Sequence, residues 1–75
     1  MICKKRFSTI GEIQRLQQLA TETEFEVAVH SPDSSIRIDA KSFIGMFALN
    51  FDEPVLVVTE SEEFMQAIAD LGETL

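Results

Sequence analysis

The chain has no tryptophan and no tyrosine, one cysteine, two prolines and three glycines among its 75 residues. A lone Cys3 can close no internal disulfide and cannot build a cysteine zinc site, so packing must hold the fold together. So little glycine and proline excludes collagen-like and low-complexity chains. No apolar run approaches the roughly 18 residues of a membrane helix, and Met1 to Phe7 lacks the apolar stretch of a secretory signal; no membrane insertion is expected, and the expected address is the cytoplasm. Basic residues are missing from the last 34 positions. Lys4, Lys5, Arg6, Arg15, Arg37 and Lys41 all precede residue 42, where six acids balance them, and beyond it stand seven acids and no base, for a net charge of −7. Binding a nucleic acid backbone depends on clustered cations that release counterions, and Lys4-Lys5-Arg6 is too short a cluster to offset that repulsion. The expected partner is a protein.

Apolar residues make up 45% of the chain, enough for one thin core between two layers in a single domain spanning 1–75. Cys3 to Phe7 is a candidate opening strand. Thr9-Ile10-Gly11-Glu12 has the spacing of a capping box, and Ile10, Ile13, Leu16, Leu19 and Ala20 follow at three- to four-residue intervals, predicting an amphipathic helix over 10–21. Phe25, Val27 and Val29 alternate with polar residues or alanine. After Ser31-Pro32-Asp33-Ser34 the alternation resumes with Ile36 and Ile38, which predicts a hairpin. Val55 to Thr59 is too short for a helix and rich in β-branched residues, so it reads as the central strand. Thr59 or Ser61 would cap a last helix over 61–73, with Glu62 and Glu63 in its first turn and Phe64, Ile68, Leu71 and Leu75 on one stripe. These elements predict an α+β open-faced sandwich, an antiparallel sheet with helices on one face.

Lys41-Ser42-Phe43-Ile44-Gly45-Met46-Phe47-Ala48-Leu49-Asn50-Phe51 lies between hairpin and central strand. As a helix of two to three turns capped by Ser42 it would be apolar all round, so some of those side chains must face water. Met46 and Leu49 suffice to anchor it, which leaves Phe43, Ile44 and Phe47 as an exposed apolar patch of the kind that marks partner surfaces.

The element order, with this string in its middle, resembles HPr, the phosphocarrier protein of the bacterial phosphoenolpyruvate-dependent sugar phosphotransferase system. The resemblance covers nearly the whole chain. It implies a regulatory phosphorylation site at Ser42 and a docking surface built from Lys41, Phe43, Ile44 and Phe47. Implied partners are components of that system or a serine kinase. The family's phosphorylated histidine belongs to a Gly-x-His-Ala-Arg-Pro-like segment ahead of the first helix, where this chain reads Phe7-Ser8-Thr9-Ile10-Gly11-Glu12. With neither imidazole nor arginine there, the chain has no phosphoramidate-forming nucleophile and no cation to hold phosphoryl oxygens at that place. The reading is an HPr-like protein that acts by protein contact without phosphoenolpyruvate-dependent histidine phosphorylation.

Alternatives are a phosphocarrier that uses His30, the only histidine, and a structural α/β module with no role in sugar transport. His30 is expected at a strand end, facing water beside the turn. Glu62 and Glu63 are adjacent on a helix and do not face each other, so they read as dipole partners rather than an acid/base pair. No catalytic constellation, metal site or cofactor site is expected.

Overall fold

A computed structural model describes all residues 1–75. The elements are β1 (Ile2–Arg6), α1 (Ile10–Glu22), β2 (Val27–His30), β3 (Arg37–Asp39), α2 (Phe43–Met46), β4 (Val55–Thr59), α3 (Glu62–Ala67) and β5 (Glu73–Thr74). Five strands form one antiparallel sheet in the order β3-β2-β4-β1-β5, with β4 at its centre. β1 and β2 run the same way on either side of β4, so α1 crosses a gap that β4 later fills. The result is the expected α+β open-faced sandwich. No helix is long and apolar enough to cross a membrane.

Period-2 alternation decides which side chains enter the core. Val27 and Val29 of β2 and Val55, Val57 and Thr59 of β4 are buried on the helix-bearing face, while Ala28, His30, Leu56 and Val58 face the other way and stay half-buried. Beneath the helices, Phe7, Ile13, Leu16, Ala20, Met46, Leu49, Phe64 and Ile68 complete one cluster. The capping box forms as expected: Thr9 Oγ1 accepts from Glu12 N at 3.1 Å, and Glu12 Oε1 accepts from Thr9 N at 3.1 Å and Ser8 N at 2.6 Å. Ile10, at the first helical position, is 56% exposed rather than buried with the stripe behind it.

Three expectations are corrected. Phe25 precedes β2 and is 52% exposed. The neighbouring strand ends at the Val27↔Thr59 pair, so residues before Val27 have no ladder to join. Ile36 stays outside β3 and exposed, while Ile38 pairs with Val29 and is half-buried. The last helix is half the expected length: α3 stops at Ala67, and Leu75, expected on its buried stripe, is 50% exposed beside the edge strand β5.

Lys5 is bonded to the chain just past that early stop. It alternates in phase with Cys3 and Phe7, so it points inward and is fully buried. Its Nζ donates to Ile68 O at 2.7 Å, Ala69 O at 3.2 Å and Thr74 Oγ1 at 2.7 Å. An ammonium has three protons, and here each has an acceptor. Two of these acceptors are the carbonyls of the C-cap Ile68 and of Ala69 after it, beside the helix end that carries partial negative charge. Gly72 then turns the chain back at φ +69°; a Cβ there would meet Phe7 Cδ1 at 2.7 Å and Arg6 O at 2.8 Å. Only glycine tolerates both the angle and the approach.

The β2–β3 connection is held by Asp33. Its Oδ1 accepts from Ser31 Oγ at 2.8 Å, Ser35 N at 3.0 Å and Ser35 Oγ at 2.7 Å. These donors, the Ser35 hydroxyl foremost, favour the charged form and hold the carboxyl at about 2 instead of 3.8.

Replacing Lys5 by Met keeps the buried stem but leaves three acceptors unpaired, and should cost about 2–4 kcal/mol in urea unfolding. Gly72→Ala should also destabilise, through strain at a positive φ and contact with Phe7 and Arg6. For Asp33 the folded value lies below the unfolded one, so its contribution is complete above the ordinary carboxylate range and fades as pH falls through 3.8 toward about 2. The stability gap between the unaltered chain and Asp33→Ala should therefore narrow across that window, with a carboxyl NMR titration midpoint near 2.

Candidate functional site

The stretch between β3 and β4 is pinned from both sides. Ala40 is fully buried and its N–H donates to Val27 O at 2.8 Å, which brings the chain off the sheet. Asp39 then holds the next two amides: its Oδ1 accepts from Lys41 N at 2.9 Å and its carbonyl from Ser42 N at 3.0 Å. From α1, Gln17 Nε2 donates to Lys41 O at 2.9 Å. Ser42 therefore begins α2 on a fixed backbone.

Ser42 is the N-cap of α2, with extended backbone angles and Oγ accepting from Gly45 N at 3.1 Å. Gly45 makes room for that hydroxyl, since a Cβ there would approach Ser42 Oγ to 3.0 Å. The helix has one α-turn and continues as tighter turns, with Phe47 N donating to Ile44 O, Ala48 N to Gly45 O and Leu49 N to Met46 O. It is thus shorter than the two to three α-turns the apolar run suggests. Met46 is fully buried and Leu49 nearly so, and these two anchor the segment.

On the outer side Ile44 is 84% exposed and Phe47 57%. Phe43 is half-buried against the core and meets Phe47 edge to face, with ring centroids 5.0 Å apart. It supports the patch more than it presents itself. Lys41 is half-buried and Ser42 exposed, so the hydroxyl stands in water beside the apolar patch. The fold thus brings together all five residues named from the sequence for this surface: Lys41, Ser42, Phe43, Ile44 and Phe47.

It does not bring His30 to them. His30 pairs with Leu56 and Arg37 in the sheet and lies, half-buried, on the face away from the helices. The loop before α1 is closed by its own capping box, with Ser8, Thr9 and Glu12 satisfying one another. Glu62 and Glu63 stand in the first turn of α3, capped by Ser61, as dipole partners would. Glu63 also lines a shallow cleft with Leu19, Glu22, Phe25 and Phe64, which the sequence reading did not foresee. The sequence signals this cleft only in part, because Phe25 carries the period-2 spacing of a strand.

Comparison with protein-family models, with curated proteins and with solved structures finds no match to this chain.

If α2 is anchored from below and bare above, its residues should separate cleanly in unfolding measurements. Met46→Ala should cost about 2–5 kcal/mol, as truncation of a buried side chain does. Phe47→Ala should cost under about 1 kcal/mol. Ser42→Ala should cost about 1 kcal/mol through the lost cap, and Ser42→Asp, which keeps an acceptor oxygen, nearly nothing.

Proposed function

We propose that this chain is an HPr-like, non-catalytic cytoplasmic protein that acts by protein contact through α2, with Ser42 as its regulatory phosphorylation site. The supporting observation is the juxtaposition at α2: an exposed cap hydroxyl beside Ile44 and Phe47, on a helix whose inward residues already anchor it. Apolar side chains this exposed contribute little to the stability of the isolated domain, and they offer a partner area to bury.

A phosphate on Ser42 would place nearly two negative charges at the first amides of α2, next to Lys41. The same charge would lie one residue from Phe43 and penalise a docking surface that is apolar or acidic. Modification would therefore release one kind of partner and admit a basic one. The partners that follow from the resemblance are components of the sugar phosphotransferase system, with a serine kinase as the modifying enzyme. Histidine phosphorylation has no part in this reading. The residues that precede α1 offer a threonine cap where the family has its imidazole, and His30 lies on the other face of the sheet.

Two assays test it. Incubation with phosphoenolpyruvate and the first kinase of the sugar system should leave the mass unchanged; an acid-labile phosphoryl group on His30 would replace this reading with a displaced phosphocarrier. Immobilised chain should retain a component of that system, and Phe47→Ala and Ser42→Asp should each weaken the capture while His30→Ala leaves it intact. If the retained component ignores Phe47→Ala, α2 is not the docking surface; if no component is retained, the link to sugar transport fails.

A further inference from the structure

A cleft of about 340 Å³ lies between the C-terminal half of α1 and the start of α3. Phe64, buried, and Leu19, half-buried, form its floor, and Phe25 adds a ring that is 52% exposed. Glu22, Glu24 and Glu63 stand exposed around it. The walls are tied to each other. Thr59 Oγ1 donates to Glu26 O at 2.8 Å and accepts from Ser61 N at 3.2 Å, which holds the segment carrying Glu24 and Phe25 against the cap of α3. Phe25 N donates to Thr23 Oγ1 at 3.3 Å, which keeps it beside the end of α1.

Charge in the cleft is of one sign, since its lining holds three acids and no base. Glu22 is the last residue of α1, where the backbone carries partial negative charge and a cation is the favoured neighbour, yet the last turn contains no base. Glu63 stands at the positive end of α3, which offsets part of its charge. Glu22 has no such offset. Arg15 is about two turns back along α1 and outside the lining, and Lys41 is held by Gln17, which lies about 200° around that helix from Leu19. Met1, whose carbonyl accepts from Thr59 N at 3.1 Å, does not line the cleft either.

From this geometry we infer that the cleft docks a basic segment of another protein, with an apolar side chain seated on Leu19, Phe25 and Phe64 and an arginine on each side of it paired with the carboxylates. The exposed ring beside an apolar floor offers area to bury, and carboxylates without a cation decide what brings a partner there. Arginine fits better than lysine, because its planar fork takes a carboxylate through two bonds and stacks on a ring such as Phe25. An anionic occupant, nucleic acid included, would meet three like charges.

The test uses a fluorescent peptide, Arg-Arg-Leu-Phe-Arg-Arg flanked by glycine and serine, titrated with the full chain and followed by anisotropy and by amide NMR shifts. Binding should shift residues 19–25 and 62–67 and weaken as salt is added. A peptide with serines in place of Leu-Phe should bind at least about fivefold more weakly, and one with glutamates in place of the arginines should not bind. The double variant Glu22→Gln, Glu63→Gln should lose roughly threefold to tenfold in affinity, and Phe25→Ser about as much. Asp52→Asn with Glu53→Gln removes the same charge from the α2–β4 loop and should change nothing; Phe47→Ala should also change nothing, which separates this cleft from α2. All these side chains are exposed, so thermal melts should show every variant folded. The inference is overturned if the arginine peptide fails to bind, if the serine peptide binds equally, if the two double variants have the same effect, if Phe25→Ser leaves affinity unchanged, or if the shifts fall on α2 or on the open face of the sheet.

Discussion

A buried ammonium ties the two ends of the chain together. Lys5 sits in β1, next to the central strand, and donates to the carbonyls of Ile68 and Ala69, just past α3, and to Thr74 of β5. None of these oxygens belongs to a carboxylate. A cation without a counter-ion is costly to bury, and the cost is offset here because each of its protons is bonded and the carbonyl end of a helix supplies partial negative charge. These bonds meet the chain where α3 ends, just before the turn at Gly72 that lays β5 against β1. The same stretch carries Ile68 into the core cluster and leads to the edge strand.

A sheet covered on one side divides the protein's chemistry in two. On the covered side, apolar residues of β2 and β4 meet the helices, and α2 sits at the rim with Met46 inside and Ile44 and Phe47 outside. On the bare side, β1, β4, β2 and β3 present Lys4, Leu56, His30 and Arg37. Neighbours in sequence are sent to opposite surfaces: Lys4 to water and Lys5 to the core, His30 to the open face and Val29 beneath the helices. The only histidine is thereby kept apart from the capped serine. A chemistry that needed the two together would need a different fold.

Much of the architecture was legible because it is set by near neighbours. The Thr9–Glu12 capping box, the stripe of Ile13, Leu16 and Ala20, the central position of Val55 to Thr59 and the cap at Ser42 all rest on residues within one turn or one strand of each other. The composition of the α2 surface was legible as well, since an all-apolar segment in a one-sided sandwich cannot bury every side. Where reading failed, a periodic pattern continued after its cause had stopped. Phe64, Ile68, Leu71 and Leu75 keep helical spacing although the chain leaves the helix after Ala67, and Phe25 keeps strand spacing although the ladder begins at Val27.

The sequence by itself determined the elements, their order, the one-sided cover and the chemistry available on α2, because capping, periodicity and turn preference act over a few residues. Only the tertiary structure decided that a lysine in a run of three bases is the most buried of the polar residues, that a helix yields to an edge strand, and that four residues from four strands form one row. Each of these depends on contacts between distant segments: Lys5 with Ile68 lies 63 positions along the chain. No local preference encodes such a pairing, and it exists only once the layers have closed.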